Sequence, residues 1–192
     1  WLKHREPRWA RLAILHRLDK DTSGLLVFGK TPEANRSLTR QFTDREVHKQ
    51  YTLVTDRPVL REAFTIISAI VRAGERYVST PLEESDDRAE TRFRVIRREG
   101  TRTWLEAEPV TGRTHQIRVH AAAEGLPILG DALYGGSPAA RLHLHAAALE
   151  FRQPVTGESL RFAAAPDFVS AAAQQLRTAV IDRTETNAFR CV

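Results

Sequence analysis

The 192 residues suffice for one folded domain that buries about 70% of the surface of its unfolded chain. A composition of 42% hydrophobic and 28% charged residues excludes a disordered or fibrous protein, and a single cysteine, Cys191, excludes a disulfide framework and indicates a cytoplasmic protein. The formal net charge of +5, supplied mainly by arginine, is compatible with a polyanionic partner.

An apolar run at residues 25–28, Leu-Leu-Val-Phe, lies between Gly24 and Gly29 and is typical of a short strand that is buried on both faces. The polar stretch His-Arg-Leu-Asp-Lys-Asp-Thr-Ser precedes it at residues 16–23. Asp19 is therefore predicted to lie on a loop that leads into a core strand. Taken alone, it could be a turn-forming residue or a functional carboxylate.

A helix is predicted next, beginning at Thr31-Pro32 with a side-chain cap followed by proline at the first helical position. Apolar side chains recur at four-residue spacing and form its inner face: Ala34, Leu38 and Phe42. The outward face and the residues after the helix carry a basic group that could bind phosphate groups: Arg36, Arg40, Arg45 and Lys49.

Residues 48–55 alternate in character and are predicted to form a strand, with Tyr51 and Leu53 on one face. The region from residue 56 to residue 88 contains prolines and an acidic run, and is predicted to form solvated loops. Its apolar run at residues 64–71 is far shorter than the roughly 20 residues that a membrane-spanning helix needs. We therefore predict no membrane span.

A hairpin is predicted at residues 90–108, with its turn at Glu99-Gly100. The following segment predicts a helix that Thr114 caps and Gly125 ends, with Arg118 near its first turns. Residues 142–151 predict another strand, and an apolar spacing of four predicts a terminal helix over residues 168–180. Strands mixed with a few helices predict an α+β fold around a mixed, mostly antiparallel sheet with flanking helices.

Four histidines in the second half of the chain raise the question of a metal site: His115, His120, His143 and His145. The first two are five residues apart, which does not place them on one helical face, and no cysteine or paired carboxylate accompanies them. A metal site is therefore not expected. The sequence also lacks the glycine-rich loops of nucleotide-binding proteins and the Gly-x-Ser-x-Gly motif of serine hydrolases.

Three sequence blocks point to one family: HRLDKDTSGLLV at residues 16–27, HKQYTLV at residues 48–54 and TGRTHQIRVHAAAEGLPILGDALYGG at residues 111–136. In this order and spacing they resemble the signature blocks of the RluA-type pseudouridine synthases. The resemblance extends over residues 12–168. It implies the family's catalytic fold with a central cleft, and isomerisation of uridine to pseudouridine in structured RNA, with ribosomal RNA favoured over transfer RNA.

The resemblance implies three catalytic residues. Asp19 matches the catalytic aspartate, Tyr51 the tyrosine that stacks on the target base and takes a proton, and Arg118 the arginine that pairs with the aspartate. A carboxylate that acts as a nucleophile must be ionised and aimed, and an adjacent guanidinium favours both. Moving the ribose C1′ from N1 to C5 of uracil is redox-neutral, so neither a cofactor nor a metal is expected.

Contacts with RNA are implied for further residues. The target uridine must leave the RNA stack to reach an enzyme pocket, at a cost of a few kcal/mol. Arg17 matches the family position that can enter the RNA helix in its place. Arg113 and His115, in the third block, are likewise expected to contact RNA. The expected partner is RNA, bound by a monomer.

The chain departs from the family pattern at its two ends. No Lys-Pro-x-Gly strand and no S4-type RNA-binding domain precede the first block, so residues 1–168 are expected to form a catalytic domain that lacks its N-terminal part. Residues 169–192 are expected to form a terminal helix and tail that lead to a further domain. Two alternatives stay open: a catalytically idle RNA-binding module and a metal-dependent RNA hydrolase.

Overall fold

A computed structural model describes residues 12–82 and 88–168 of the chain. The helix and tail predicted beyond residue 168 lie outside the described residues. The elements follow in chain order: β1 (Ala13–Ile14), β2 (Ser23–Gly24), β3 (Phe28–Gly29), α1 (Pro32–Thr43), β4 (His48–Thr55), β5 (Ala63–Ala73), β6 (Arg76–Thr80), β7 (Arg88–Glu99), β8 (Arg102–Pro109), α2 (Gln116–Ala123), a 3-10 helix (Ala132–Tyr134), β9 (Leu144–Arg152) and β10 (Ser159–Ala163). The predicted α+β class with a mostly antiparallel sheet is confirmed.

The described residues divide into two compact units, and each has its own apolar core. The larger unit contains Asp19–Ser23 and Lys49–Ala147. The smaller unit contains residues 12–18, 24–48 and 148–168. The short segment that begins at Asp19 thus belongs to the larger unit, although the residues on both sides of it belong to the smaller one.

The larger unit is built on strands in the order β4-β8-β7-β5-β6, each paired antiparallel with its neighbour. Its core joins Leu53 of β4 and Leu105 of β8 to Ile117 and Ala121 of α2. Full burial of a leucine or isoleucine side chain stabilises a fold by about 1.5–3 kcal/mol. The packing against the sheet therefore fixes the position of α2, the helix that carries Arg118.

The prediction of solvated loops for residues 56–88 is wrong over most of that region. β5 and β6 form a hairpin with Val71 opposite Val78, and β5 also pairs with β7. Buried Phe64 and Ile66 alternate with exposed residues along β5, which is the period of a strand with one buried face. The two prolines lie outside both strands and do not interrupt them. Residues 83–87 lie outside the described residues.

The smaller unit confirms the predicted helix and its start. Thr31 caps α1, and its Oγ1 accepts a hydrogen bond of 3.2 Å from the Ala34 amide. Leu38 is fully buried, in a core that includes Phe151 of β9. The Gln41 side chain bonds both backbone groups of Arg152, at 2.9 and 2.8 Å. No helix among the described residues is long and apolar enough to cross a membrane.

The apolar run at residues 25–28 does not form the predicted continuous strand. Leu25 and Leu26 lie outside regular strand structure, between the two-residue strands β2 and β3. Leu25 and Val27 are buried whereas Leu26 is only partly buried, so the run does not bury both faces. The Val27 amide donates to Nε2 of His16 at 3.1 Å. A side chain therefore satisfies a backbone group that a neighbouring strand would otherwise bind.

Candidate active site

All residues of the helix α2 from Gln116 to Ala121 are buried. Thr114 is not its cap, contrary to the prediction. His115 occupies the cap position with left-handed backbone angles of φ 55° and ψ 20°, and it makes no side-chain capping bond. Gly125, at φ 72°, follows the helix end as predicted, because a left-handed residue there suits glycine.

Arg118 projects from α2 towards two carboxylates. Its Nε and Nη2 donate to Oδ2 and Oδ1 of Asp131 at 2.7 and 2.8 Å, a bidentate pair. Its Nη1 lies 3.6 Å from Oδ2 of Asp19. The guanidinium also lies over the ring of Tyr134, 4.9 Å from the ring centroid. The arginine is thus held by Asp131 and Tyr134 while one edge faces Asp19.

The charge balance keeps Arg118 protonated. Burial lowers its pKa, but the hydrogen bond and charge of Asp131, the charge of Asp19 and that of Tyr134 more than compensate, so the pKa of Arg118 is raised above its usual value. The Arg118 side chain is 7% exposed and that of Asp131 only 1%, whereas that of Asp19 is 24% exposed. Asp19 is therefore the member of the group that a bound molecule reaches.

Tyr51 lies on β4, opposite Ala107 of β8, and packs against the core of the larger unit. Loss of solvent around its hydroxyl, with a further contribution from the charge of Asp19, raises the pKa of Tyr51 to about 12. The hydroxyl is therefore protonated at neutral pH. The structure thus places all three predicted catalytic residues in the larger unit, with Asp19 acting electrostatically on the other two.

Asp131 and Tyr134 are residues of this site that the sequence reasoning did not assign to it. Asp131 shapes the turn before the 3-10 helix, since its Oδ1 accepts a hydrogen bond of 3.3 Å from the Tyr134 amide. The same carboxylate binds Arg118. The available signal was the position of both residues inside the third sequence block, only a few residues beyond α2.

The seven residues predicted to contact RNA fall in both units. Arg17, Arg36, Arg40 and Arg45 belong to the smaller unit, and all four are exposed. Lys49 belongs to the larger unit, where its Nζ donates to the Thr111 carbonyl at 3.3 Å. Lys49 is therefore not part of the compact unit that carries the other members of the predicted basic group.

Arg113 and His115 flank the start of α2 in the larger unit. Nε of Arg113 donates to the Arg88 carbonyl at 3.4 Å. Nδ1 of His115 lies 2.8 Å from the Tyr134 hydroxyl, and the His115 ring packs edge-on against the rings of Tyr77 and Tyr134. His115 therefore contacts Tyr134, the residue whose ring lies against the Arg118 guanidinium.

A network of buried polar side chains lies on another side of α2. The Gln116 amide donates to Oγ1 of Thr91 at 2.9 Å, and Nδ1 of His120 lies 2.8 Å from the same oxygen. Nε2 of His120 lies 3.1 Å from Oγ of Ser68. His120 is fully buried, and this burial lowers its pKa to about 4. These bonds tie α2 to β5 and β7.

Within residues 12–82 and 88–168, no three histidine, cysteine or acidic side chains are arranged to hold a metal ion. The four histidines of the second half make separate hydrogen bonds. His115 and His120 bind as described above, Nδ1 of His143 lies 2.9 Å from the Arg141 carbonyl, and Nδ1 of His145 lies 2.7 Å from Oγ of Ser23.

A sequence model of the family described as RNA pseudouridylate synthase matches residues 2–123. Ribosomal large subunit pseudouridine synthase C of Yersinia pestis is 41% identical over 180 residues, which cover 86% of this chain and 55% of that protein. The protein of the same name from Escherichia coli (strain K12) is 38% identical over 181 residues, covering 86% and 56%. The chain thus spans about half the length of these relatives.

Two solved structures of pseudouridylate synthase domains are also similar to this chain. Human RNA Pseudouridylate Synthase Domain Containing 1 superposes with a TM-score of 0.74 at 28% identity, covering 88% of this chain and 73% of the human chain. Human RNA Pseudouridylate Synthase Domain Containing 4 superposes with a TM-score of 0.69 at 26% identity, covering 82% and 72%.

Proposed function

Because the chain belongs to the RNA pseudouridylate synthase family, we propose that it isomerises uridine to pseudouridine in structured RNA. The observation that carries the proposal is a partly exposed carboxylate, Asp19, facing a buried arginine that a second carboxylate holds in place. Ribosomal RNA is the favoured substrate, since the Yersinia pestis and Escherichia coli relatives are both named for the large ribosomal subunit. Transfer RNA is the alternative substrate.

Asp19 is the proposed catalytic carboxylate. In the reaction the bond from N1 of uracil to C1′ of ribose breaks, and a bond from C5 to C1′ forms. C5 loses its proton and N1 gains one, so the uridine and its product have the same composition. An ionised carboxylate beside C1′ can take part by adding to the substrate or by assisting departure of the base. Arg118 places a positive charge 3.6 Å from this carboxylate.

Asp131 acts in this proposal by holding Arg118. Both hydrogen bonds between the two side chains are short, and both groups are almost fully buried. The guanidinium consequently keeps one orientation and does not need to reorganise as charge develops near Asp19, which is the condition for efficient electrostatic stabilisation. Tyr134 contributes by covering one face of the guanidinium.

Tyr51 supplies a ring on which the detached uracil can stack while it turns. Its pKa of about 12 means that the hydroxyl is a hydrogen-bond donor in the resting enzyme at neutral pH. An unassisted tyrosinate base is therefore disfavoured. Transfer of a substrate proton to Tyr51, from the sugar or from C5, then requires that the hydroxyl pass on its own proton as it accepts the new one.

The partner in this proposal is RNA, bound by a monomer in the cytoplasm without a metal ion. The exposed arginines of the smaller unit, Arg17, Arg36, Arg40 and Arg45, are suited to phosphate contacts that do not depend on sequence. Lys49, Arg113 and His115 lie in the same unit as Asp19 and would contact the nucleotides around the flipped uridine.

The Asp19→Asn variant tests the proposal. Release of tritium from RNA labelled at C5 of uridine measures the loss of the C5 proton, with large-subunit ribosomal RNA transcribed in vitro as the first substrate. We expect the variant to lose at least about 10³-fold in single-turnover rate, since the proposed catalytic carboxylate is removed. RNA affinity should stay unchanged, because the asparagine has nearly the same size.

The outcomes separate the alternatives. A wild-type chain that binds RNA but releases no tritium from ribosomal or transfer RNA would contradict the proposal and favour an idle binding module. RNA cleavage that stops when EDTA is added would favour a metal-dependent hydrolase. Tritium release from an RNA hairpin folded in monovalent salt, at the same rate with and without EDTA, is the expected result.

A further inference from the structure

The turn that carries Asp19 ends at Ser23, and the Ser23 hydroxyl is bound from two sides. Its Oγ lies 2.7 Å from Nδ1 of His145, and Nη2 of Arg141 donates to the same oxygen. The amide of Thr22 donates to the Asp19 carbonyl at 3.0 Å. The turn is thus closed by its own backbone at one end and tied to the second residue of β9 at the other.

The chemistry of the side chains fixes the direction of one of these two bonds. A guanidinium can only donate, so Ser23 Oγ accepts from Arg141. The hydroxyl also has one proton to donate, and Nδ1 of His145 is an acceptor within reach when the neutral imidazole carries its proton on Nε2. With only 7% of its surface exposed, the ring is held in this position by its surroundings.

The contact between Asp19 and Arg118 does not by itself aim the carboxylate. The distance of 3.6 Å is outside the normal range of a hydrogen bond, so the attraction has little directional preference. The short hydrogen bonds of Arg118 both go to Asp131. The direction of the Asp19 side chain must therefore come from the backbone of its turn, which the Ser23 hydroxyl anchors four residues later.

We propose that His145 is a positioning residue of the reaction, which acts through Ser23 to hold the Asp19 turn in its productive geometry. This inference rests on the proposed function. His145 does not touch the reacting atoms, and its contribution is to supply an acceptor at the place of Nδ1. Small displacements of a reacting group cost as much as about 10²-fold in rate, so the loss of this anchor has a measurable effect.

Three variants test the proposal through kcat and RNA affinity. His145→Phe keeps the ring size but removes the acceptor, and Ser23→Ala removes the donor. Both should lower the single-turnover rate at saturating RNA by about 10²-fold while the RNA Kd changes by less than about twofold. His145→Asn places an amide oxygen near the position of Nδ1, and should retain a rate within about fivefold of wild type. The matched control is Ser159→Ala, which removes a serine hydroxyl on β10 that donates to Glu150 of β9.

A second measurement does not depend on activity or on the stability of a variant. In wild-type protein labelled with nitrogen-15 at histidine, the NMR spectrum should show His145 protonated on Nε2 and unprotonated on Nδ1 at neutral pH. A proton on Nδ1 would overturn the proposal. An active wild type whose His145→Phe variant keeps its full rate, or whose His145→Asn variant loses as much rate as His145→Phe, would overturn it as well. A wild type that forms no pseudouridine refutes the proposed function instead.

Discussion

Asp131 gives Arg118 two strong hydrogen bonds in a site that is almost closed to solvent, whereas Asp19 gives it a longer, more exposed contact. Removing one partner of a buried ion pair leaves an uncompensated charge, which is far more costly than replacing both partners by apolar residues. Stability and catalysis therefore depend on the two carboxylates in different ways. In the proposed reaction Asp131 would contribute to both, and Asp19 mainly to catalysis.

The Asp131→Asn variant should lower the free energy of unfolding by about 3 kcal/mol, because it removes the charge that balances Arg118. The pseudouridine-forming rate should fall as well. Urea denaturation followed by circular dichroism, combined with tritium release, measures both quantities.

The double variant Arg118→Met with Asp131→Leu distinguishes the two effects. We expect it to recover most of the lost stability, since it replaces a buried pair by apolar side chains, and to remain inactive. Recovery of activity in this variant would mean that the reaction does not need the arginine.

The site residues could be predicted where a sequence block marked them. Asp19, Tyr51 and Arg118 come together as expected of the family pattern, although their catalytic roles stay predictions. The second function of Asp131 could not be predicted, because a turn-forming aspartate and an aspartate that binds arginine have the same sequence signature. Only the fold of the chain after α2 brings the carboxylate to the guanidinium.

At the scale of elements, α2 carries the site because each of its faces has a different partner. Ile117 and Ala121 belong to the apolar core, Gln116 and His120 bind Thr91, and Arg118 faces the carboxylates. The helix cannot rotate without breaking one of these sets of contacts. Its orientation is therefore as well defined as that of a sheet strand.

The buried His120 predicts a specific pH dependence of stability. Its pKa of about 4 in the folded protein lies below the usual 6.5 of an unfolded chain, so the unfolded state binds a proton more readily. The histidine therefore costs no stability above pH 6.5. Stability is lost as the pH falls from 6.5 to about 4, by roughly 3 kcal/mol in total.

Urea denaturation between pH 4 and pH 8 measures this effect when wild type is compared with His120→Gln, which is neutral throughout. The difference in unfolding free energy between the two proteins should shrink or reverse towards pH 4. A difference that does not vary with pH would show that His120 has an ordinary pKa.

Elements with strong local signals were predictable, and those set by distant contacts were not. α1, β4 and the hairpin of β7 and β8 follow from caps and alternation. The hairpin of β5 and β6 was missed because the prolines and the acidic run around it suggested loops, although Phe64 and Ile66 carry a strand period. Thr114 lost the cap position because the chain enters α2 through a left-handed His115.

At the scale of the whole molecule, the arginines that supply most of the positive charge differ in whether a carboxylate is paired with them. In the larger unit several of them are paired with neighbouring carboxylates, for example Arg94 with Glu106 at 2.8 Å and Arg98 with Glu62 at 2.7 Å. Arg36 and Arg40 on α1 are exposed, and no carboxylate among the described residues is paired with either. The outward face of α1 is therefore the better candidate for phosphate contacts.

Replacing Arg36 and Arg40 together by glutamine should weaken RNA binding and reduce the slope of log K against log salt by about 1.5 in magnitude, the loss of two phosphate contacts. Filter binding over a range of potassium chloride concentrations measures the slope. The control is Arg94→Gln with Arg98→Gln, which removes the same charge from paired positions and should leave the slope near that of wild type. Equal slopes in all three proteins would exclude α1 from the RNA interface.

The threading of the chain through its two units has a consequence for protein synthesis. Ser23 binds His145, 122 positions later, and Gln41 binds Arg152, 111 positions later. A ribosome that adds roughly 5–20 residues per second therefore exposes the Asp19 turn on the order of ten seconds before its anchor exists. The Ser23 anchor of the Asp19 turn therefore cannot form on a nascent chain until His145 of β9 has been made.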